Sequence, residues 1–313
     1  MVDNIQTFQP ARPLPVQVAA APRRRSWLRT MRGGLQGSEY TWALAFLVPY
    51  VAVFIAFVAY PVAYGFWMGS KLSLYSEAFS DPIYWKTVVN TLVYMAVDVN
   101  LEIFLALILS GFFMRRGWWV KALLMLWVLP WAIPEMPAYI SIHWMLNGDY
   151  GLLNNALWTL FHVNGPAWLD TRWLGFFSIV ASHLWKWVPF WTVIMLAGRM
   201  AIPSEIHEAA EVDGATGLRH FAYITVPMLA NLYLVATLLL TIFLVGDFNT
   251  PYFITGGGPA MSTFTLGTLG VVQYTLGMAE PRLGVATVLT AMPLIIPLVI
   301  ILMRKLRTAQ VQL

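Results

Sequence analysis

The chain has 313 residues, of which 59% are hydrophobic and only 11% charged, and its mean hydropathy is +0.66. A soluble globular domain carries about 25% charged residues, so a water-exposed surface of ordinary composition is excluded. The chain contains no cysteine, which excludes disulfides and thiolate metal sites.

The first segment, residues 1–38, is rich in Pro, Ala, Arg and Gly and shows no apolar period. Such a composition predicts a disordered arm. Because an Arg cluster and some forty residues precede the first apolar run, no cleavable signal peptide is predicted. We expect residues 39–305 to form one helical membrane domain and residues 306–313 to form a short tail.

Six apolar stretches follow the arm, and each approaches or exceeds the roughly 20 residues that a helix needs to cross the hydrocarbon of a bilayer. They are residues 42–69, 88–114, 122–142, 174–198, 226–245 and 283–303. Several contain proline, which predicts kinks or breaks rather than loss of the helix. The pattern predicts an all-α integral membrane protein with about six transmembrane helices.

The connections between these stretches differ in their content of Lys and Arg. The arm, the second and fourth connections and the tail together hold fourteen, whereas the other connections hold four. Lys and Arg are retained on the cytoplasmic side, so both termini are predicted to be cytoplasmic. The net charge of +4 is thereby explained without nucleic acid, and a basic arm suits anionic headgroups of the lipid bilayer.

Two connections are expected to form helices outside the membrane. Within residues 143–173, apolar residues recur at helical spacing, which predicts an amphipathic helix on the outer face where a partner could dock. Within residues 199–225, Pro203 and Ser204 predict a helix start, and Asp213 followed by Gly214 predicts a turn before a second short helix. A helix-turn-helix on the inner face can transmit a push from a cytoplasmic protein.

The same inner connection carries a motif with defined spacing. Glu208-Ala209-Ala210, Gly214 four positions on, and residues 224–227 (Ile-Thr-Val-Pro) resemble the "EAA" loop of permease subunits of binding-protein-dependent ABC importers. Residues 130–134, 151–154, 185–190 and 252–259 resemble segments of the carbohydrate-uptake branch, of the maltose/glycerol-phosphate type, and of the first of its two non-identical permeases. The resemblance covers residues 40–305.

The resemblance implies a multi-pass protein of the cytoplasmic (inner) membrane of a bacterium. It implies four kinds of partner: a second homologous permease subunit, two nucleotide-binding ATPase subunits, an extracytoplasmic solute-binding protein and a carbohydrate substrate. In the family, the loop matched here by Glu208, Ala209, Ala210, Asp213 and Gly214 sits in a groove of the ATPase and couples it to the pore. The sugar itself is left open.

Polar and aromatic residues at membrane depth are candidates for the substrate pathway. Lys186 and Trp187 lie near the middle of the fourth span, and Asp247, Asn249 and Tyr252 follow the fifth span, where glycines suggest irregular backbone lining a cavity. Asp98 and Glu102 share one face of the second span. Together with Lys186 they are expected either to form a structural ion pair or to line the pore.

No catalytic residue or metal site is predicted. His207 and Glu208 lack the second histidine of a zinc motif, and no phosphate-binding Gly-Lys-Ser/Thr occurs, so ATP and Mg would be bound by the partner ATPase and no cofactor by this chain. Three alternatives remain open: ABC uptake of another polar solute (a glycerophosphodiester or a polyol), an ion-coupled transporter using Asp98, Glu102 and Lys186 as a relay, and, least favoured, an intramembrane hydrolase.

Overall fold

The computed structural model describes residues 37–311, with side chains within residues 42–306. Residues 1–36, nearly all of the predicted arm, lie outside the described residues, as do residues 312 and 313 of the predicted tail. The described residues are helical and contain no strand, which confirms the all-α fold class.

The helices are short where the chain turns and long where it can cross a bilayer. In chain order the α-helices of the described residues are α1 Gly37–Phe54, α2 Tyr60–Met68, α3 Leu72–Ser80, α4 Pro82–Phe113, α5 Trp118–Ala132, α6 Glu135–Met145, α7 Leu152–Phe161, α8 Arg172–Met200, α9 Ser204–Val212, α10 Leu218–His220, α11 Val226–Met228, α12 Ala230–Val245, α13 Asn249–Thr255, α14 Leu266–Thr268, α15 Pro281–Leu289 and α16 Met292–Val311. Segments of π-helix cover Ile55–Ala59, Phe221–Thr225 and Leu269–Gly277. The described residues divide into two units, one up to Pro61 and one from Val62 onwards.

Four helical runs of the described chain are long and apolar enough to cross a membrane: Trp42–Met68, Pro82–Phe113, Arg172–Met200 and Pro281–Leu306. Two further pairs pass the same test only together. The pair α5 and α6 bends by 95°, and the run Leu218–Met228 bends by 67° against α12. If each bent pair is one crossing, the total is the six predicted from the sequence. Helix α7 confirms that residues 143–173 contain a helix, and the pair α9 and α10 confirms a helix, turn and second short helix within residues 199–225.

The bend in the third crossing is a full break. Helix α5 ends at Ala132, Ile133 is extended, and Pro134 occupies the position before α6 with φ −56° and ψ 140°. A proline has no N–H and its ring crowds the carbonyl four residues earlier, so Pro130 and Pro134 leave carbonyl groups around the break without partners from their own helix. These groups need donors from elsewhere in the fold.

The second unit is organised around α4 and α8, which pack along each other. Buried apolar side chains of α4, among them Tyr94, Val99 and Ile103, and of α8, among them Ile179 and Met195, form part of one continuous core. In a bilayer such packing relies on close van der Waals contact, because lipid tails are as apolar as the side chains.

Polar side chains fix both ends of this helix pair. Towards the start of α4, the Asn90 side-chain amide donates to the carbonyl oxygens of Ser262 and Phe264, both at 2.9 Å, and accepts from Arg172 Nη2 at 2.9 Å. Towards its end, Arg199 Nε donates to Ser110 Oγ at 2.7 Å. The irregular segment between α13 and α14 is thereby tied to α4.

Near the last crossing, two glycines bring backbones into contact. A methyl group on Gly270 would lie 2.7 Å from the carbonyl oxygen of Gly284, and one on Gly284 would overlap the carbonyl oxygen of Gly270. The π-helical segment Leu269–Gly277 therefore packs on α15 at a distance that only glycine permits.

We expect Gly284→Ala to lower the free energy of unfolding by about 1–3 kcal/mol, because the new methyl group meets backbone that cannot rotate away. The matched control is Gly65→Ala, where no atom lies within 4 Å of the added methyl group and the helix gains up to about 1 kcal/mol. Thermal unfolding in one detergent compares the two, and equal stability of both variants would contradict the close approach.

Candidate functional site

A cavity of about 480 Å³ opens beside the break in the third crossing. Its walls come from the start of α6, the middle of α8, the end of α12 and the start of α13. The lining residues are Glu135, His183, Trp187, Phe190, Trp191, Leu240, Phe243, Gly246, Asp247, Phe248 and Asn249. Helices of four different sequence regions therefore meet at one mixed polar and aromatic chamber.

Aromatic rings form one wall of this chamber. Phe190 lies edge-on to Trp187, with ring centroids 6.3 Å apart, and to Trp191, at 5.1 Å. On the opposite element Phe248 stacks on Tyr252 at 4.8 Å. Flat apolar faces bordered by hydrogen-bonding groups are the usual make-up of a small-molecule site.

The polar wall is held by hydrogen bonds to neighbouring helices. Asn249 Nδ2 donates to Glu135 Oε2 at 2.8 Å. Asp247 accepts the hydroxyl of Tyr94 at 2.8 Å and the backbone N–H of Thr250 at 3.1 Å. These contacts fix the carboxylates in place before any ligand arrives.

Three of the predicted pathway residues, Trp187, Asp247 and Asn249, line the cavity together, and Tyr252 stands behind Phe248. Irregular backbone was expected here, and it occurs in two places. Gly246, Asp247 and Phe248 lie between α12 and α13, outside any helix, and line the cavity. Asn249–Thr255 form helix α13, and the backbone is irregular again from Gly256, whose φ is +60°. Glu135, Phe190 and Phe248 were not predicted, although Glu135 was visible as a carboxylate inside an apolar stretch.

Lys186 does not line this cavity. Its side chain is buried, and Nζ donates to the carbonyl oxygens of Pro130 and Trp131, each at 3.0 Å, and of Ile133. It therefore supplies the donors that the break between α5 and α6 requires. Long cationic side chains inside membranes characteristically pair with backbone carbonyls in this way.

Of the two arrangements expected for Lys186, Asp98 and Glu102, the ion pair does not form, because Lys186 Nζ donates to backbone carbonyls. His183, one turn earlier on α8, lies against both carboxylates, with Nδ1 2.8 Å from Asp98 Oδ2 and 3.2 Å from Glu102 Oε2. Residues three apart on a helix share nearly the same face, so the sequence could indicate the face but not which of the two bases occupied it. The relay required by the ion-coupled alternative is therefore not assembled by these residues.

The predicted coupling residues lie on α9 and the turn after it. Glu208, Ala209, Asp213 and Gly214 are exposed, whereas Ala210 is buried. Gly214 has φ +75°, in the left-handed region that favours glycine. Apolar side chains of Val212 and Leu218 flank the turn and are 88% and 86% exposed, a surface of the kind that a partner protein covers.

Two histidines join the helices on either side of this turn, His207 on α9 and His220 on α10. His207 Nδ1 and His220 Nε2 are 2.9 Å apart, and the two rings stack with centroids 4.9 Å apart. The guanidinium of Arg199 lies over the ring of Phe221 at 5.5 Å. The helix-turn-helix is thereby a supported element, as transmission of a push requires.

The sequence matches a known family of membrane transport proteins. Residues 102–307 match the protein family described as "binding-protein-dependent transport system inner membrane component". The chain is 33% identical over 248 residues to the trehalose/maltose transport system permease protein MalF of Thermococcus litoralis, covering 74% of this chain and 82% of that one. It is 32% identical over 237 residues to the sulfoquinovosyl glycerol transport system permease protein SmoG of Agrobacterium fabrum, covering 75% of each.

Among solved structures, the chain resembles a chain of a bacterial ABC transporter involved in the import of the acidic polysaccharide alginate. The TM-score is 0.73 at 19% identity, with 90% of this chain and 98% of that chain covered. At this identity the likeness establishes a shared fold.

We expect Lys186→Met to destabilise the protein by about 1–3 kcal/mol, because buried carbonyl groups at the break lose their donor. Lys121→Met is the matched control, since Lys121 is exposed at the beginning of α5. Unfolding by denaturant in lipid nanodiscs measures both. If the two variants were equally stable, Lys186 would not be what satisfies the break.

Proposed function

Because the chain belongs to the family of inner membrane components of binding-protein-dependent transport systems, we propose that it forms one half of the translocation pathway of an ATP-driven importer for a sugar or oligosaccharide. The chain is thus a transport component. The observation that carries the substrate class is the cavity of aromatic rings, carboxylates and an amide beside the broken third crossing.

The chemistry of this cavity suits a carbohydrate. The rings of Trp187 and Phe190 offer flat apolar faces to the C–H face of a pyranose, and Glu135, Asp247 and Asn249 accept from and donate to hydroxyl groups. A site built to hydrogen-bond a ligand rejects analogues that leave its buried groups unpaired. Selectivity for sugars over other small solutes follows from this arrangement, and a polyol would satisfy the polar wall without using the rings.

The charge of the cavity favours an uncharged sugar. Glu135 and Asp247 face it, and among the described residues that line it none is Lys or Arg. A uronate or sulfonate would place like charges close together in a low dielectric, where repulsion is strong. This chain therefore differs in preference from the alginate transporter that it resembles in fold.

A larger cavity, of about 550 Å³, lies between α6 and α8 and beneath α7. Apolar side chains such as Pro137, Ile142 and Phe177 dominate its lining. A sugar would lose hydrogen bonds to water there without replacement, so this space is not the proposed sugar site.

Two surfaces of the chain, the turn around Gly214 and helix α7, are the proposed contacts for partner proteins. The exposed turn around Gly214 serves as the contact to one of two ATPase subunits, which bind ATP and Mg and supply the energy. A second homologous permease supplies the other half of the pathway, as the resemblance to permeases that work in pairs implies. An extracytoplasmic solute-binding protein delivers the sugar to the outer face, where α7 offers a surface.

The proposed orientation places both termini and α9 in the cytoplasm of a bacterium, with the chain in its inner membrane. The count of fourteen Lys and Arg residues against four in the connections supports it. In this orientation the coupling turn meets a cytoplasmic ATPase, so charge distribution and proposed function agree.

We expect Trp187→Ala and Asn249→Ala to lower sugar uptake by about 10-fold or more, the equivalent of about 1.4 kcal/mol or more of lost binding. ATP hydrolysis stimulated by the binding protein is expected to survive in part. Trp185→Ala is the matched control, because Trp185 lies two residues away on α8 and lines the apolar cavity instead. Reconstituted complexes in liposomes report both rates on one preparation.

The same liposomes test the charge preference. Neutral oligosaccharides are expected to compete for uptake, whereas uronate oligosaccharides of equal length are not. Parallel loss of uptake and hydrolysis in both variants would refute the pathway role, since that result is the signature of damaged packing. Effective competition by uronates would refute the preference for uncharged sugars.

For coupling, we expect Glu208→Lys and Gly214→Val to abolish most uptake while the complex still assembles. At Gly214 a β-branched residue is strained by about 1–2 kcal/mol in the left-handed region, although no atom stands within 4 Å of the added carbon, so the effect acts on the turn itself. Glu205→Lys is the control, being an exposed acid on the same helix but outside the motif. Wild-type uptake in both coupling variants would refute this role.

A further inference from the structure

Asp98, Glu102 and His183 form a cluster at the centre of the α4–α8 contact. The exposed fractions of these residues are 0%, 0% and 5%. One ligand atom from each lies within 4.8 Å of the other two. Three groups that bind metal ions therefore converge from two helices at membrane depth.

Among the described residues, none of these groups finds a hydrogen-bond partner outside the cluster. Both oxygens of Asp98, both of Glu102 and Nδ1 of His183 are buried without one. The close contacts of these atoms are with one another, since Nδ1 lies 2.8 Å from Asp98 Oδ2 and 3.2 Å from Glu102 Oε2. Buried polar groups are almost always satisfied, so five unsatisfied atoms directed at one another indicate something that all of them bind.

We propose that Asp98, Glu102 and His183 bind a divalent first-row transition-metal ion between α4 and α8. Two ionised carboxylates and a neutral imidazole around a divalent cation sum to zero charge. Neutrality is what burial in hydrocarbon demands, because isolated charges there are costly.

The spacing of the ligand atoms fits such an ion. Donors at about 2.1 Å from a metal are about 3.0 Å apart at right angles and about 3.4 Å apart at tetrahedral angles. Nδ1 lies 2.8 Å and 3.2 Å from the two carboxylates, and all three ligand atoms lie within 4.8 Å of one another. Two carboxylates with one imidazole suit manganese, iron or zinc, and not the all-oxygen preference of calcium or magnesium.

The position of the cluster gives the ion a structural task beside the pathway. His183 also lines the chamber that holds Trp187 and Asp247. An ion held by α4 and α8 would clamp the two central helices together next to the chamber. The ion would set the position of one wall without being transported.

The test uses the full chain, purified with its accompanying subunits through an epitope tag free of histidine and washed free of nucleotide. Metal content is measured by mass spectrometry, and binding of added Mn²⁺ by electron paramagnetic resonance. We expect about one equivalent in the wild type and loss of that equivalent in Asp98→Asn, Glu102→Gln and His183→Gln. Asp149→Asn, an exposed acid on the outer connection, makes the same chemical change and should keep it.

A spectroscopic signature separates the cluster from other sites. Pulsed resonance of the Mn²⁺-loaded wild type should show coupling to one imidazole nitrogen, and His183→Gln should lose it. A membrane-permeable chelator should lower the melting temperature of the wild type, and added Mn²⁺ should restore it, since an ion that binds only the folded state stabilises it.

Two results would overturn the proposal. One is a wild-type protein that contains no Mn, Fe or Zn and binds neither Mn²⁺ nor Zn²⁺, which would mean that protons hold the cluster. The other is equal metal content in Asp98→Asn and Asp149→Asn, which would place the ion elsewhere. Both readouts are independent of transport, so they remain informative if the proposed function fails.

Discussion

Backbone groups that are buried or face hydrocarbon must find partners within the protein, and this chain interrupts its helices at two buried places. The third crossing stops at Ile133 and the irregular segment after α13 runs past Ser262. Side chains from the two unbroken central helices supply the missing donors. Lys186 of α8 serves the carbonyls around Ile133, and Asn90 of α4 serves those of Ser262 and Phe264.

The positions of these helix breaks explain where the chamber lies. A broken helix exposes polar residues at its new ends, and Glu135 is the first residue of α6 after the break. Asp247 and Asn249 likewise follow the end of α12. The cavity forms where these ends meet the aromatic face of α8, so the features that destabilise a simple bundle also create a polar wall at membrane depth.

Much of this architecture follows from one-dimensional patterns. Apolar runs of about 20 residues predicted six crossings, because the bilayer fixes their length; within the described residues four are single helical runs and two are bent pairs. The turn at Gly214 and the start of α9 depend on neighbours within a few residues, so sequence reasoning predicted them as well. Even the grouping of Trp187 with Asp247 and Asn249 was predicted, from polarity at membrane depth.

What sequence reasoning missed depends on contacts between distant segments. The prolines at 130 and 134 predicted a kink, but a bend of 95° leaves carbonyl groups that need a donor. Lys186, more than fifty residues later in the chain, supplies it. An ion pair of Lys186 with Asp98 and Glu102 was one of the two expected arrangements, and His183 holds that place instead. The two bases lie on nearly one face of α8, a single turn apart in depth. Lys186 goes to the break because the backbone carbonyls around Ile133 lack partners there. The sequence alone does not show which carbonyls these are, since they depend on how the third crossing folds.

The two adjacent alanines of the coupling motif differ in one respect that matters for genetics. Ala209 is exposed, whereas Ala210 is 5% exposed and packs within its own subunit. With α9 docked on an ATPase as proposed, a larger residue at 209 would clash with the ATPase. A second-site change in the ATPase could then relieve the clash. A larger residue at 210 would be felt by this chain, so its suppressors would arise in this chain alone. Within one motif, position 209 is therefore expected to co-vary with the ATPase, and position 210 with residues of this chain.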